Sequence, residues 1–199
     1  MADVPGISYS GSSTADRAKP DGHDLAPEVQ QFDFDGEVRR SLYWPSVGGG
    51  STSASPVHQR TFNKNRDTLS AHAELRRLEE TLELPGELSD YHFAIQGTLK
   101  TVFDERRQDC ALVEEIERLC WLDIVLIEAH PEVAEYEPGR FFHVMGYELL
   151  MRLYEGEGYF AEALEVAESA AHLGQEHSLA RVKRLRTRLA ELEAEDEPR

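Results

Sequence analysis

Lysine is scarce in this chain: only four of its 21 cationic residues are lysine, set against 38 acids, for a net charge of −17. A surplus of that sign argues against a general affinity for nucleic acid or anionic membrane, since both select positive charge. Long apolar runs are also missing. The longest, Leu119 to Ile127, is broken by Asp123 and is far too short to span a bilayer. The N-terminus has no basic stretch leading into an apolar one, so no signal peptide and a cytoplasmic location are expected. Cysteine is limited to Cys110 and Cys120. Ten residues apart on one predicted helix, they stand about 15 Å apart along its axis and cannot bridge each other. That is the cysteine usage of a reducing compartment. Glycine-rich phosphate loops, nucleophile elbows and zinc-protease motifs are absent. The scattered histidines, including His130 near Glu128, show no ligand spacing, so neither a metal nor a cofactor is expected.

What the chain does have divides it in two. Residues 1–66 read as a mostly disordered arm. They carry Ser10-Gly11-Ser12-Ser13, Gly48-Gly49-Gly50 and Ser51-Thr52-Ser53-Ala54-Ser55-Pro56, with few branched apolar residues. Residues 38–66 hold five bases and no acid, whereas the chain from Asp67 onward holds 30 acids and 14 bases. Attraction between the two would place the basic stretch on the acidic body for part of the time; the other reading is a solvated linker that touches nothing. Within the arm, Phe32, Phe34, Leu42, Tyr43 and Trp44 form an aromatic island at 32–44. Two readings stay open for it. Either it folds onto a partner, or it is a short strand or turn docked on its own domain.

Residues 67–199 read as an all-α domain of antiparallel helical hairpins. Asp67 or Thr68 can cap a helix to Glu83 with a stripe of Leu69, Leu75, Leu78 and Leu82. Pro85-Gly86 breaks it. A second helix runs from Ser89 to Phe103 or Asp104, and a third from Arg107 to Ala129, ended by Pro131. Residues 131–138 form a connector. The last helix, from Gln175 to Glu195, repeats Leu179, Val182, Leu185, Leu189 and Leu192 at three and four, a narrow seam.

Between them lies the stretch that organises the rest. Arg140 to Glu155 is apolar almost all round, as a helix buried on several sides must be. Glu148 and Arg152 sit four apart on its one wet facet. Gly156-Glu157-Gly158 stops it, and a second helix runs from Tyr159 to Leu173 with a broad alanine-rich face that suits close antiparallel packing. In this stretch Tyr147, Leu150, Tyr154, Gly158, Phe160, Ala163 and Ala170 fall at the spacing of a tetratricopeptide repeat, which residues 140–174 resemble over about one repeat. Met151, Ala167 and Gln175 depart from the family's small, aromatic and proline positions. The resemblance implies a helical array whose groove binds a peptide or helix, and hence a non-enzymatic adaptor or regulatory module with a protein partner. Tyr91, Tyr147 and Arg152 are the expected groove residues, with Phe32, Phe34, Tyr43 and Trp44 as further binding candidates.

Two other functions are carried beside it. Asp123 falls in the middle of the apolar side of the third helix, where a carboxylate must be hydrogen-bonded, paired or protonated. His143, on the face shared by Tyr147, Leu150 and Tyr154, is its candidate partner. The two are read either as a polar pair that sets helix register or as the acid-base pair of a small helical enzyme. The leucine seam over 176–195 suggests instead a self-assembling protein, a homo-oligomer through its last helix. The run Arg181, Lys183, Arg184, Arg186, Arg188 reads as a wet face neutralising the acidic body, with phosphate or nucleic-acid binding as its alternative.

Overall fold

The computed structural model describes residues 1–11, 26–46, 48–62 and 69–196. The chain forms two compact units, Met1–Thr98 and Leu99–Arg199. Helices make up most of the described residues, but each unit also carries antiparallel strands, so the fold is mostly helical rather than all-α.

In the first unit, β1 (Glu28–Phe34) and β2 (Glu37–Ser46) pair antiparallel from Glu28↔Tyr43 to Phe34↔Glu37, and β3 (Gly50–Thr52) pairs with the end of β2. The β1–β2 turn is Asp35-Gly36, with φ of 52° and 82°. Two left-handed residues in succession give the turn whose twist matches that of the flanking strands. The aromatic island at 32–44 is thus a strand hairpin, one of its two readings, and residues 28–46 and 50–61 are strands and a short helix where a mostly disordered arm is expected. A two-residue turn closes the hairpin over a very short loop, and Trp44, only 2% exposed, gives the sheet an apolar anchor. The Ser-Gly-Ser-Ser run after Gly11 and the caps expected at Asp67 and Thr68 lie outside the described residues.

Ser55-Pro56 opens α1 (Pro56–Thr61). The Ser55 hydroxyl oxygen accepts from the His58 backbone N–H at 3.0 Å, and proline takes the first helical position, where its missing N–H costs nothing. The same hydroxyl donates to Asp90 Oδ2 at 2.5 Å, at the start of α3. Next come α2 (Ala71–Leu82), whose stripe of Leu75, Leu78 and Leu82 is buried as expected, and α3 (Leu88–Glu105). Of the basic stretch 38–66, Arg60 pairs with Glu80 of α2 at 2.5 Å.

The second unit holds α4 (Leu112–Ala129), a 3-10 turn (Pro131–Val133), β4 (Glu135–Glu137), β5 (Arg140–Phe141), α5 (Met145–Glu157), α6 (Phe160–His172) and α7 (Glu176–Asp196). From α4 onward each helix packs on the next. Ala163, Ala167 and Ala170 of α6 are fully buried, and their small side chains allow the close approach that the sequence implied. Three boundaries differ from expectation. The helix read from Arg140 opens only at Met145, because Pro138-Gly139 turns the chain and Arg140–Phe141 pairs with β4 instead. The Phe142 N–H extends that pairing to the Ala134 carbonyl at 2.8 Å. The same helix runs past Gly156 to Glu157 and ends at Gly158, where φ is 85°. The third helix starts at Leu112, so Cys110 lies ahead of it and is exposed, while Cys120 is buried within it; both are free thiols. Among the described residues no helix is long and apolar enough to cross a membrane.

Candidate functional site

The second unit carries a groove of about 280 Å³ between α5 and the start of α7. Its floor comes from Val144, just ahead of α5, and from Tyr147 and Met151 on α5; all three are buried yet line it. One rim is His143 and Glu148, the other Ser178 and Arg181.

Gln175 shapes the groove. Its carbonyl oxygen accepts from the Val144 N–H at 3.3 Å, and its amide donates to the Phe142 carbonyl at 2.9 Å. One side chain thus holds the extended strand that leads into α5, a job that the proline expected here from the repeat pattern cannot do, having no side-chain amide. A polar depression of about 250 Å³ adjoins the groove, walled by Tyr136, Gly139, Arg140 and Phe141 and sharing His143 and Gln175 with it. Tyr136 and Phe142, both exposed, pack ring to ring at 4.7 Å beside it.

The polar groups are held in fixed pairs. His143 Nε2 lies 2.9 Å from Glu148 Oε2, and Glu148 Oε1 lies 3.7 Å from Arg152, the i,i+4 pair expected from sequence. The Arg152 guanidinium also sits over the Phe103 ring, 4.9 Å from its centre. Tyr147 donates to Glu128 Oε1 at 3.0 Å, and Ser169 donates to the same oxygen. Burial, and then the neighbouring Glu128 charge, push the Tyr147 hydroxyl well above its usual range, so it stays a neutral donor. Across the groove, Arg181 and Arg184 converge on Glu155 at 2.5 and 2.7 Å.

The other expected site residues are distributed as follows. Asp123 is 0% exposed, whereas His143 is half exposed and turned to Glu148, so the structure does not join them as a pair. Asp123 lies instead at the first turn of α5. Its Oδ2 is 3.1 Å from the point where a Cβ on Gly146 would stand. The helix dipole at this first turn favours a negative charge, which accounts physically for a carboxylate in an apolar face. Tyr91 belongs to the first unit, where its hydroxyl donates to the Leu84 carbonyl at 2.8 Å, so it is not part of the Tyr147 groove. Trp44 and Tyr91 share the wall of a separate cavity within that unit. Phe32 and Tyr43 pack at 5.8 Å on the hairpin; the side chain of Phe34 lies outside the described residues.

On α7, Arg181 and Arg184 meet Glu155, Arg186 meets Glu168 and Arg188 meets Glu191, so these cations neutralise acids of the same unit. The leucine seam is split: Leu185 is buried and Leu179 is 64% exposed. Met151, Gln175 and Ser178 line the groove without a sequence signal that marks them as binding residues, and Arg181 is marked only within the cationic run of the last helix. The first and third carried a signal only in being apolar or small on faces already crowded with such residues. Among the described residues, no three or more His, Cys, Asp or Glu side chains gather as metal ligands. Comparison with family models, with curated proteins and with solved structures finds no significant match to this chain.

Proposed function

We propose that the protein is a non-enzymatic interaction module whose second unit seats an extended segment of a partner protein in the groove between α5 and α7. The observation that carries this reading is the groove's make-up, an apolar floor of Val144, Tyr147 and Met151 under a rim of paired charges. A floor of that kind takes one apolar anchor side chain, and the rim and the adjoining polar depression take the backbone and polar side chains on either side of it. The consecutive packing of α4 to α7 suits a tetratricopeptide-like array, in keeping with the resemblance of residues 140–174 to one repeat. The net charge of −17 favours partner segments that are neutral or basic beside the anchor.

Selection of random displayed peptides on the full chain tests this. The expected result is a set of peptides sharing one apolar anchor, with affinity that drops about tenfold or more for Glu148→Arg, a half-exposed rim change that leaves the core intact. Failure to retain any peptide, or retention unaffected by Glu148→Arg, rejects the reading.

A further inference from the structure

The hairpin of the first unit has an open edge. The sheet order is β1-β2-β3, so β1 has a neighbour on one side alone among the described residues. β3 joins β2 only from Trp44 to Ser46. Beyond that the hairpin is two strands, and Glu37 to Ser41 of β2 are all exposed. A two-stranded hairpin is marginal in water and gains from a further strand. The turn fixes which backbone groups face outward. With left-handed residues at Asp35 and Gly36, Phe34 and Glu37 form the first hydrogen-bonded pair. Bonded and non-bonded pairs then alternate along the register, so the N–H and C=O groups of Val29, Gln31 and Asp33 point away from β2. Among the described residues no other backbone group pairs with them. Apolar side chains stand exposed on the same strand: Val29 is 60% and Phe32 42% exposed.

We propose that two copies of the chain pair antiparallel through β1, about a two-fold axis at Gln31. The three outward-facing residues are spaced evenly about Gln31, so the edge is its own complement. Gln31 meets Gln31 and Val29 meets Asp33 of the second copy, and every outward N–H and C=O of the three is bonded. A shift by one residue sets these groups against groups already bonded to β2. A shift by two runs Asp33 onto Pro27, which has no N–H, or Val29 onto the Asp35 turn. No acid faces an acid, because Asp33 lies opposite Val29 and Glu28 opposite Phe34. The Phe32 residues of the two copies fall on one face, diagonal across the axis at about 7–8 Å, within reach of aromatic rings. Tyr43, whose ring centre lies 5.8 Å from that of Phe32, extends this cluster on each side. The net charge of −17 on each copy opposes their approach, so salt strengthens the pairing.

Sedimentation equilibrium on the full chain tests this. The mass is expected to rise with concentration from 22.5 kDa toward twice that value, and to do so at lower concentration in high than in low salt. Gln31→Pro removes an N–H that β2 does not use, which an edge strand tolerates. Its thermal transition at low concentration should match that of the parent, while association weakens about tenfold or more. Oxidative cross-linking reads the register independently. In a Cys110→Ser background, which removes the exposed thiol, Gln31→Cys places two thiols at a hydrogen-bonded pair, with Cα atoms about 5.5 Å apart and within disulfide reach. Val29→Cys places them four residues out of register, about 13 Å apart along the strand. Gln31→Cys is expected to form covalent dimers and Val29→Cys to stay monomeric under the same oxidant. A mass fixed at 22.5 kDa at every concentration, or association that Gln31→Pro leaves unchanged, overturns the pairing. Cross-linking of Val29→Cys as fast as that of Gln31→Cys overturns the two-fold at Gln31.

Discussion

Asp123 of α4 and Gly146 of α5 are fitted to each other. A Cβ at position 146 would stand 3.1 Å from Asp123 Oδ2 and 3.1 Å from the Cys120 carbonyl oxygen. The glycine lets the first turn of one helix come down onto the buried carboxylate of the other, so a single contact explains both an acid in an apolar face and a glycine near a helix start. Gly146→Ala adds a methyl group where a backbone carbonyl cannot yield. The usual gain in helix propensity, about 1 kcal/mol, is expected to be outweighed by overpacking of about 1–3 kcal/mol. Urea unfolding should therefore show a net loss of about 1 kcal/mol, and a gain in stability would mean that the two helices can separate freely at this point.

The glycines that close α5 differ from one another. Gly158 holds φ at 85°, whereas Gly156 lies inside the helix with open space where a Cβ would go. Gly158→Ala is expected to cost about 1 kcal/mol through the left-handed backbone, and Gly156→Ala to add about 0.5–1 kcal/mol by restricting the unfolded chain. Thermal melts of the two single variants should move in opposite directions.

Alkali should unfold the first unit through Tyr91. Burial is the main cause that pushes its hydroxyl from the ordinary value near 10 up to about 12. The folded chain therefore keeps the proton over a range in which the unfolded chain loses it. The resulting stability is complete below pH 10 and falls away as pH rises toward 12. Tyr91→Phe removes that part of the slope. Near neutral pH it also leaves the Leu84 carbonyl without its donor, at a cost of about 1 kcal/mol. Denaturant titrations from pH 8 to 12 on both proteins provide the check, and identical slopes would contradict the assignment.

Thiol labelling separates the two cysteines. Cys110 is exposed, while Cys120 is buried and its thiol is pushed far above its usual range, first by burial and then by the Asp123 and Glu117 charges. Under native conditions a maleimide should modify Cys110 alone, and Cys120 only after denaturant is added, with peptide mapping as the readout. Rapid native labelling of Cys120 would mean that α4 opens readily.

Periodicity made much of the helical body legible. The leucine stripe of Ala71–Leu82, the alanine face of Phe160–His172 and the break near Gly158 all follow from side-chain spacing and glycine's backbone freedom. The Asp35-Gly36 turn and the Ser55-Pro56 helix start were legible too, by two-residue hairpin chemistry and the preferences of a helix start, but the serine- and glycine-rich stretches around them masked both. Asp123 stood out as a buried acid for the same reason of spacing, but its surroundings could not be read from the sequence. Spacing says which face of a helix a residue occupies, and only packing says what lies opposite. Tertiary structure therefore turned His143 toward Glu148, set Asp123 against Gly146 and gave Gln175 the strand ahead of α5. Those contacts join residues far apart in the chain, whereas periodicity and turn chemistry act over a few neighbours and carry no information about what folds back onto them.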